Sequence, residues 1–154
     1  MSGTKREAGL KSLMSLLLIF MMLTASAQQR RPELGRQRYT EGRFAGFAIS
    51  PTEHIIEEVE PPLVVRKVAG ILRSQGGEWP KSCEILFEIR GLSPATAVKG
   101  VLADSRGRFS LRGMSPGTYV FKATANGWQS VVGTLIVSES AKDKEIDLTL
   151  RLGV

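Results

Sequence analysis

The sequence predicts an all-β protein, a seven-stranded antiparallel β-sandwich that follows a signal peptide and a mostly irregular leader. Two observations carry this prediction. From Leu63 onward, apolar and polar residues alternate with a period of two, which is the pattern of half-buried strands. Turn-forming residues also separate the alternating segments at short intervals, as in sandwiches and barrels. The predicted strands lie within residues 63–72, 83–90, 96–103, 108–112, 119–124, 131–137 and 145–152.

The first 27 residues have the pattern of a secretory signal. Lys5, Arg6 and Lys11 precede the apolar run Leu13–Leu23, and a small-residue segment ends at Ala27. Positive, apolar and small regions in this order predict export with cleavage after Ala27. An uncleaved anchor is the alternative, although a run of about 11 residues is shorter than the roughly 20 that a spanning helix needs. We therefore expect a secreted or periplasmic protein of a bacterial cell envelope, with membrane contact only if the segment is retained.

Residues 28–62 show little periodicity and are interpreted as a leader or linker. Phe44, Phe47 and Ile49 alternate loosely, so this segment contains at most one short strand. The acidic stretch before Pro61 and Pro62 ends the leader, because two prolines favour extended backbone before them and interrupt regular pairing. The predicted organisation is signal peptide 1–27, leader 28–62 and β-domain 63–154.

The first two predicted strands show how the core is expected to form. In residues 63–72, alternate positions are apolar and Arg66 is the exception. In residues 83–90, Cys83 and every second residue after it face the core, whereas Glu88 and Arg90 face the other side. This second pattern predicts a strand with one buried and one solvated face.

The segment Asp104–Trp128, DSRGRFSLRGMSPGTYVFKATANGW, specifies turns and strands most closely. The Asp104 carboxylate can accept hydrogen bonds from backbone N–H groups two residues on, which initiates a turn. Gly107 can adopt the positive φ that closes this turn. Asn126-Gly127 is a strong hairpin signal. The residues expected in the core are Phe109, Leu111, Tyr119 and Phe121.

This segment, with its pattern D-x-x-G-x-F-x-L-x-x-x-x-P-G-x-Y-x-F-x-A-x-x-x-G-W, resembles the carboxypeptidase regulatory-like domain. The resemblance covers roughly residues 63–152, and Val68–Leu72 looks like the first strand of that family. Cys83 departs from it, since an aliphatic residue is commoner there. The resemblance implies a transthyretin-like (prealbumin-like) sandwich with a carbohydrate-binding-like fold. It also implies an accessory module without catalytic residues, which aids folding or binds a protein or glycan partner.

The sequence offers no set of residues for catalysis, a metal or another cofactor. His54 is the one histidine, and a zinc site needs three or four correctly placed ligands. Cys83 is the one cysteine, so it cannot form a disulfide within the chain, and its position in the alternation predicts a small buried residue. An intermolecular disulfide is the alternative. We predict no catalytic, cofactor or metal-binding residues and therefore no enzyme activity.

The charge distribution argues against nucleic acid as a partner. The chain has a net charge of +6, and much of the excess lies in the leader rather than on the predicted strands. Nucleic-acid-binding domains instead carry basic residues on a folded face, together with aromatic residues. The expected partner is therefore an unidentified protein or a cell-envelope glycan.

Trp79 and Trp128 are the candidate contact residues. Trp79 lies in a turn rich in glycine and proline and is expected to be exposed, where its ring could stack on a sugar. Trp128 follows the Asn126-Gly127 turn and is expected at the edge of the core. Three functions remain open: a binding module, a membrane-anchored envelope component and a carbohydrate-binding domain.

Overall fold

The computed structural model describes residues 34–53 and 55–153. These residues contain no helix, and eight strands follow one another along the chain. The predicted signal peptide and His54 lie outside the described residues. The strands are β1 (Ile56–Val65), β2 (Val68–Ser74), β3 (Ile85–Gly91), β4 (Lys99–Leu102), β5 (Arg108–Leu111), β6 (Gly117–Ala125), β7 (Ser130–Val137) and β8 (Ile146–Leu150).

The strands form two sheets, which we call the large sheet and the small sheet. The large sheet has the order β1-β7-β6-β3-β4 and the small sheet the order β5-β2-β8. Both sheets are mixed, because β1 pairs with β7 and β2 with β8 in parallel, whereas the other pairs are antiparallel. The all-β prediction is confirmed for the described residues. The strand number and the purely antiparallel pairing differ from the prediction.

The additional strand arises where the sequence predicted one strand over residues 63–72. The chain bends at Arg66 and Lys67, so β1 ends at Val65 in the large sheet and β2 begins at Val68 in the small sheet. Arg66 was the one residue that broke the predicted alternation. A charged residue at that position fits a chain that leaves one sheet and enters the other.

Strand β1 also begins seven residues before the expected domain start. It pairs with β7 through Val59, and pairing resumes at Leu63 after a register shift. Pro61 and Pro62 lie in this gap. Proline lacks a backbone donor and is tolerated on an edge strand, which is where β1 lies. The two prolines therefore interrupt the pairing without ending the strand.

The core lies between the sheets and is apolar. Phe87 of β3 stacks on Phe109 of β5 with ring centroids 4.2 Å apart and on Phe121 of β6 at 5.7 Å. These three rings join the large sheet to the small one. Buried aliphatic side chains from β2, β7 and β8 complete the same core, including Leu72, Leu135, Ile146, Leu148 and Leu150.

The turn at Asp104 has the predicted hydrogen bonds. The Asp104 carboxylate accepts bonds from the backbone N–H groups of Arg106 and Arg108, each at 2.9 Å. Gly107 closes the turn at φ 77°. A Cβ at this position would lie 1.9 Å from the carbonyl oxygen of Leu72. Glycine is therefore required both for the φ angle and for the close approach of the turn to β2.

Residues 34–53, which we call the strap, lie on the outer face of the large sheet, opposite the core. The strap backbone forms turns and one isolated bridge between Arg38 and Ala48. Phe47 and Ala48 are fully buried. This segment belongs to the predicted leader, where the loose alternation suggested a short strand. The described part of the predicted leader thus includes the strap and the first seven residues of β1, residues 56–62.

Among the described residues, no helix is long and apolar enough to cross a membrane.

Candidate functional site: a cleft beside Trp79 and a buried charge layer

The two predicted contact residues lie together, but both are buried. Trp79 is 9% exposed and Trp128 is 8% exposed, and their ring centroids are 5.0 Å apart. The expectation that Trp79 is exposed is therefore wrong. The turn that carries it folds back over the end of the core rather than projecting into solvent. Neither ring face is free enough to stack fully on a sugar.

Hydrogen bonds from both indoles fix this arrangement. Trp79 Nε1 donates to the carbonyl oxygen of Leu72 at 2.8 Å, and Trp128 Nε1 donates to Ser74 Oγ at 3.3 Å. A buried indole N–H normally has such a partner, because leaving it unpaired in the core would cost free energy. The expectation that Trp128 lies at the edge of the core agrees with its position beside Ser74.

A cleft of about 550 Å³ opens beside Trp79 at the end of β2. Ile71, Leu72 and Trp79 supply its apolar part, and two turns of the chain form its sides. Its volume lies in the range typical of small-ligand pockets, of order 300–1,000 Å³. The polar residues that line it are Arg73, Ser74, Glu78, Lys81, Ser105 and Arg106.

The charges of this cleft come mainly from exposed side chains on its sides. Arg73 is already paired with Asp147 of β8, through two hydrogen bonds of 2.9 and 3.1 Å. Lys81, Arg106 and Glu78 are exposed. The cleft therefore has an apolar floor and a polar, mostly cationic margin.

A second group of functional interest was not predicted from the sequence. Four charged side chains are buried between the strap and the large sheet: Glu53 of the strap, and Glu88, Arg90 and Lys122 of the sheet. Arg38 of the strap pairs with Glu88. We call these five residues the charge layer. Charged residues are rarely buried without partners, since removing them from water is costly. Each buried charge in this layer therefore requires a partner.

Lys122 and Glu53 form the centre of the charge layer. Lys122 Nζ lies 2.6 Å from Glu53 Oε2 and also donates to the carbonyl oxygen of Ala48 at 2.6 Å. The two side chains are 0% and 3% exposed. Tyr39 and Ser130 donate hydroxyl hydrogen bonds to the same carboxylate. Every ionised group at this centre has a close partner.

The pKa values of these groups reflect burial and pairing. Burial alone would raise the pKa of Glu53, but hydrogen bonds from Lys122, Ser130 and Tyr39 outweigh it and hold the pKa below its ordinary value. Burial lowers the pKa of Lys122, although Glu53 and Glu88 partly offset this effect. Burial also raises the pKa of Tyr39, and the neighbouring Glu53 adds to this rise.

Glu88 and Arg90 hold the backbone of the strap. Glu88 Oε2 accepts the N–H of Ala48 at 2.8 Å, and its other oxygen pairs with Arg38 at 2.9 Å. Arg90 donates to the carbonyl oxygens of Ala45 and Arg43. Because Glu88 and Arg90 bind main-chain groups of the strap, these charged side chains of the large sheet fix its path.

The sequence prediction placed Glu88 and Arg90 on a solvated face, and this is wrong. The strap covers that face, so β3 is buried on both sides. One signal was present in the sequence: Leu86 is an apolar exception on the supposedly polar face, and it packs with Leu34 and Ala48 of the strap. The nearly continuous apolar run of β7 likewise fits a strand buried on both faces.

Cys83 and the acidic residues form no recognisable reactive or metal site. Cys83 is partly buried and free, and burial raises the pKa of its thiol. A raised pKa lowers the thiolate fraction and hence the reactivity. In the part of the chain that the structure describes, no three histidine, cysteine or acidic side chains come together as metal ligands.

No model of a known protein family matches the chain, and no curated protein does.

Proposed function

We propose that this protein is an exported, non-catalytic binding module of the carboxypeptidase regulatory-like type, with a transthyretin-like sandwich, that contacts a protein partner through the cleft beside Trp79. The observation that carries this proposal is the cleft itself. It combines an apolar part with exposed charges at the end of the small sheet. A glycan is the less favoured partner, because both tryptophan rings are more than nine-tenths buried.

The construction of the cleft supports a preformed binding surface. The turn at Asp104 forms one side, and the indole of Trp79 is held by its bond to Leu72. Gly107 brings this turn against β2 and Trp79 at distances that exclude any larger residue. A surface built on fixed turns loses less conformational entropy when a partner binds.

The chemistry of the buried residues supports a non-catalytic role. Glu53 and Lys122 neutralise one another, and the hydroxyl of Ser130 is used in the same network. A nucleophile is normally activated by a base that it can reach and by a nearby site for substrate. These side chains are instead covered by the strap, so we assign them to structure.

The proposal is tested by comparing capture by the native chain with capture by a cleft variant. The immobilised protein is exposed to a cell-envelope extract and, in parallel, to a glycan array. We expect a reproducible protein partner that is lost in the double variant Lys81→Gln with Arg106→Gln. The matched control is Lys99→Gln with Arg112→Gln, which removes two exposed positive charges outside the cleft.

Equal capture by the two double variants would place the contact elsewhere and contradict the cleft assignment. If a glycan but no protein is retained, and this retention depends on the cleft, the partner is a glycan instead of a protein. Turnover of a substrate by the purified chain would contradict the non-catalytic assignment.

A further inference from the structure

The strap is attached to the large sheet chiefly through charged groups. Its buried apolar side chains are few, namely Leu34, Phe47 and Ala48. In contrast, three charged side chains of the sheet reach strap atoms directly: Glu88, Arg90 and Lys122. The attachment of the strap should therefore depend on the ionisation of these groups far more than the core does.

The charge balance of the layer depends on two carboxylates. Arg38, Arg90 and Lys122 carry positive charges, and Glu53 and Glu88 carry negative ones. Glu88 lies directly opposite Lys122 in the pairing of β3 with β6. If the Glu53 carboxylate takes up a proton, the three positive charges remain close together with Glu88 as the one negative partner in the layer. Like charges in a buried layer repel strongly because water does not screen them well.

We propose that the strap is an acid-released latch, which leaves the outer face of the large sheet when Glu53 becomes protonated while the two-sheet core stays folded. Release gives water access to Arg90 and Lys122, which removes the cost of burying them. It also uncovers the apolar residues Leu86, Val120 and Val132 of that face.

The groups that face Glu53 set the direction of the pH dependence. They are Lys122 from β6, Ser130 from β7 and Tyr39 from the strap itself, and all three donate hydrogen bonds to its carboxylate. The pKa of Glu53 is lower in the folded chain than in the unfolded chain. Its ionised carboxylate therefore stabilises the folded form at pH values above the ordinary Glu pKa of about 4.3. That stabilisation is lost as the pH falls through the folded-state pKa, so release takes place on the acid side.

Glu88 is the second carboxylate that holds the strap. Arg38 and the N–H of Ala48 contact it from the strap, and Lys122 lies opposite it on β6. The ion pair of Arg43 with Glu58 of β1 lies at the exposed margin and contributes little. One further detail favours opening: Arg90 Nε has no hydrogen-bond partner among the described residues, although the guanidinium carbon lies 5.4 Å from the ring centroid of Phe47.

The experiment follows hydrogen exchange of the full chain by mass spectrometry between neutral pH and about pH 3, expressed as protection relative to the unfolded chain at each pH. Fluorescence of Trp79 and Trp128 reports the core in the same samples, because both indoles are buried with the core residues. We expect strap protection to fall by up to about tenfold per pH unit while Glu53 takes up its proton. The protection of β6 and β7 and the tryptophan emission should remain unchanged over that range.

Four variants separate the latch from ordinary acid unfolding. Glu53→Gln and Glu88→Gln should each lower strap protection at neutral pH, and Glu53→Gln should also flatten its pH dependence. Asp147→Asn, which removes an exposed ion pair on the small sheet, should leave both unchanged. The double variant Glu53→Met with Lys122→Met keeps the packing and should lose the part of the pH response that Glu53 provides.

Two results would overturn the proposal. One is simultaneous loss of protection in the strap and in β6 and β7, since that is global unfolding. The other is a strap that stays protected down to the pH at which the core unfolds.

Discussion

The two faces of the large sheet are both covered, but in different ways. On the inner face, Phe87 and Phe121 pack against the small sheet, and the contact is apolar. On the outer face, Glu88 and Lys122 hold the strap through ion pairs and hydrogen bonds to its backbone. The same strands supply both sets of residues, since successive side chains of a strand point in opposite directions.

The inner face therefore provides stability, whereas the outer face can respond to a change in pH. Apolar burial depends little on pH, so the inner face should hold the two sheets together under all mild conditions. A buried ion pair adds little net stability but is costly to break from one side. The outer face is therefore the part of the molecule whose cover can change with conditions.

The largest expected effect comes from breaking the inner face. Phe121→Ala removes a fully buried ring that stacks on Phe87, and such truncations cost about 3–5 kcal/mol of unfolding free energy. Urea unfolding followed by tryptophan fluorescence measures the loss. Val64→Ala on the exposed side of β1 is the control and should change stability by less than about 0.5 kcal/mol. A loss for Phe121→Ala no larger than for this control would contradict the packing.

A comparable loss of stability is expected when an ion pair on the outer face is broken, but a second substitution should reverse it. Lys122→Met leaves Glu53 buried without its cation, and breaking a buried pair from one side costs about 3–5 kcal/mol. Adding Glu53→Met should restore most of this stability, because well-packed apolar residues can replace a buried ion pair. Denaturant titrations of the single and double variants at neutral pH give the comparison. If the double variant is as unstable as the single one, the cost does not come from the unpaired carboxylate.

The smallest effect is expected at the margin of the strap. Arg43→Gln removes an ion pair with Glu58 in which both side chains are nearly half exposed, and such pairs are worth about 0.2–1 kcal/mol. Because solvent ions screen this pair, the difference between variant and native chain should vanish at high salt. Thermal unfolding at low and high salt measures it. A loss that persists at high salt would mean that Arg43 contributes through packing.

Local patterns predicted the turns and most strands of the core. Asp104, Gly107 and the alternation around Phe109 and Phe121 specify their own conformations through short-range hydrogen bonds and burial. The break at Arg66 and the parallel pairing of β2 with β8 depend on contacts far apart in sequence. Alternation alone does not state which sheet a strand joins.

The strap and the charge layer show why the candidate sites were harder to predict. Glu88 and Lys122 have the alternation of a solvated face, and only the fold reveals that residues 34–53 cover it. The exposure of Trp79 was inferred from its turn-rich surroundings, whereas its indole is bonded to Leu72. In both cases, a segment of irregular backbone buries residues in a way that its own sequence pattern does not show.

In this structure, the strap is an integral part of the folded domain. Hydrogen exchange at neutral pH tests it most directly at two strap amides, those of Ala48 and Ile49. The first donates to Glu88 at 2.8 Å and the second to the carbonyl oxygen of Gln37 at 2.9 Å. We predict that both amides are protected, while the exposed amide of Glu41 exchanges freely. Exchange of all three at the rate of an unfolded chain would contradict the account.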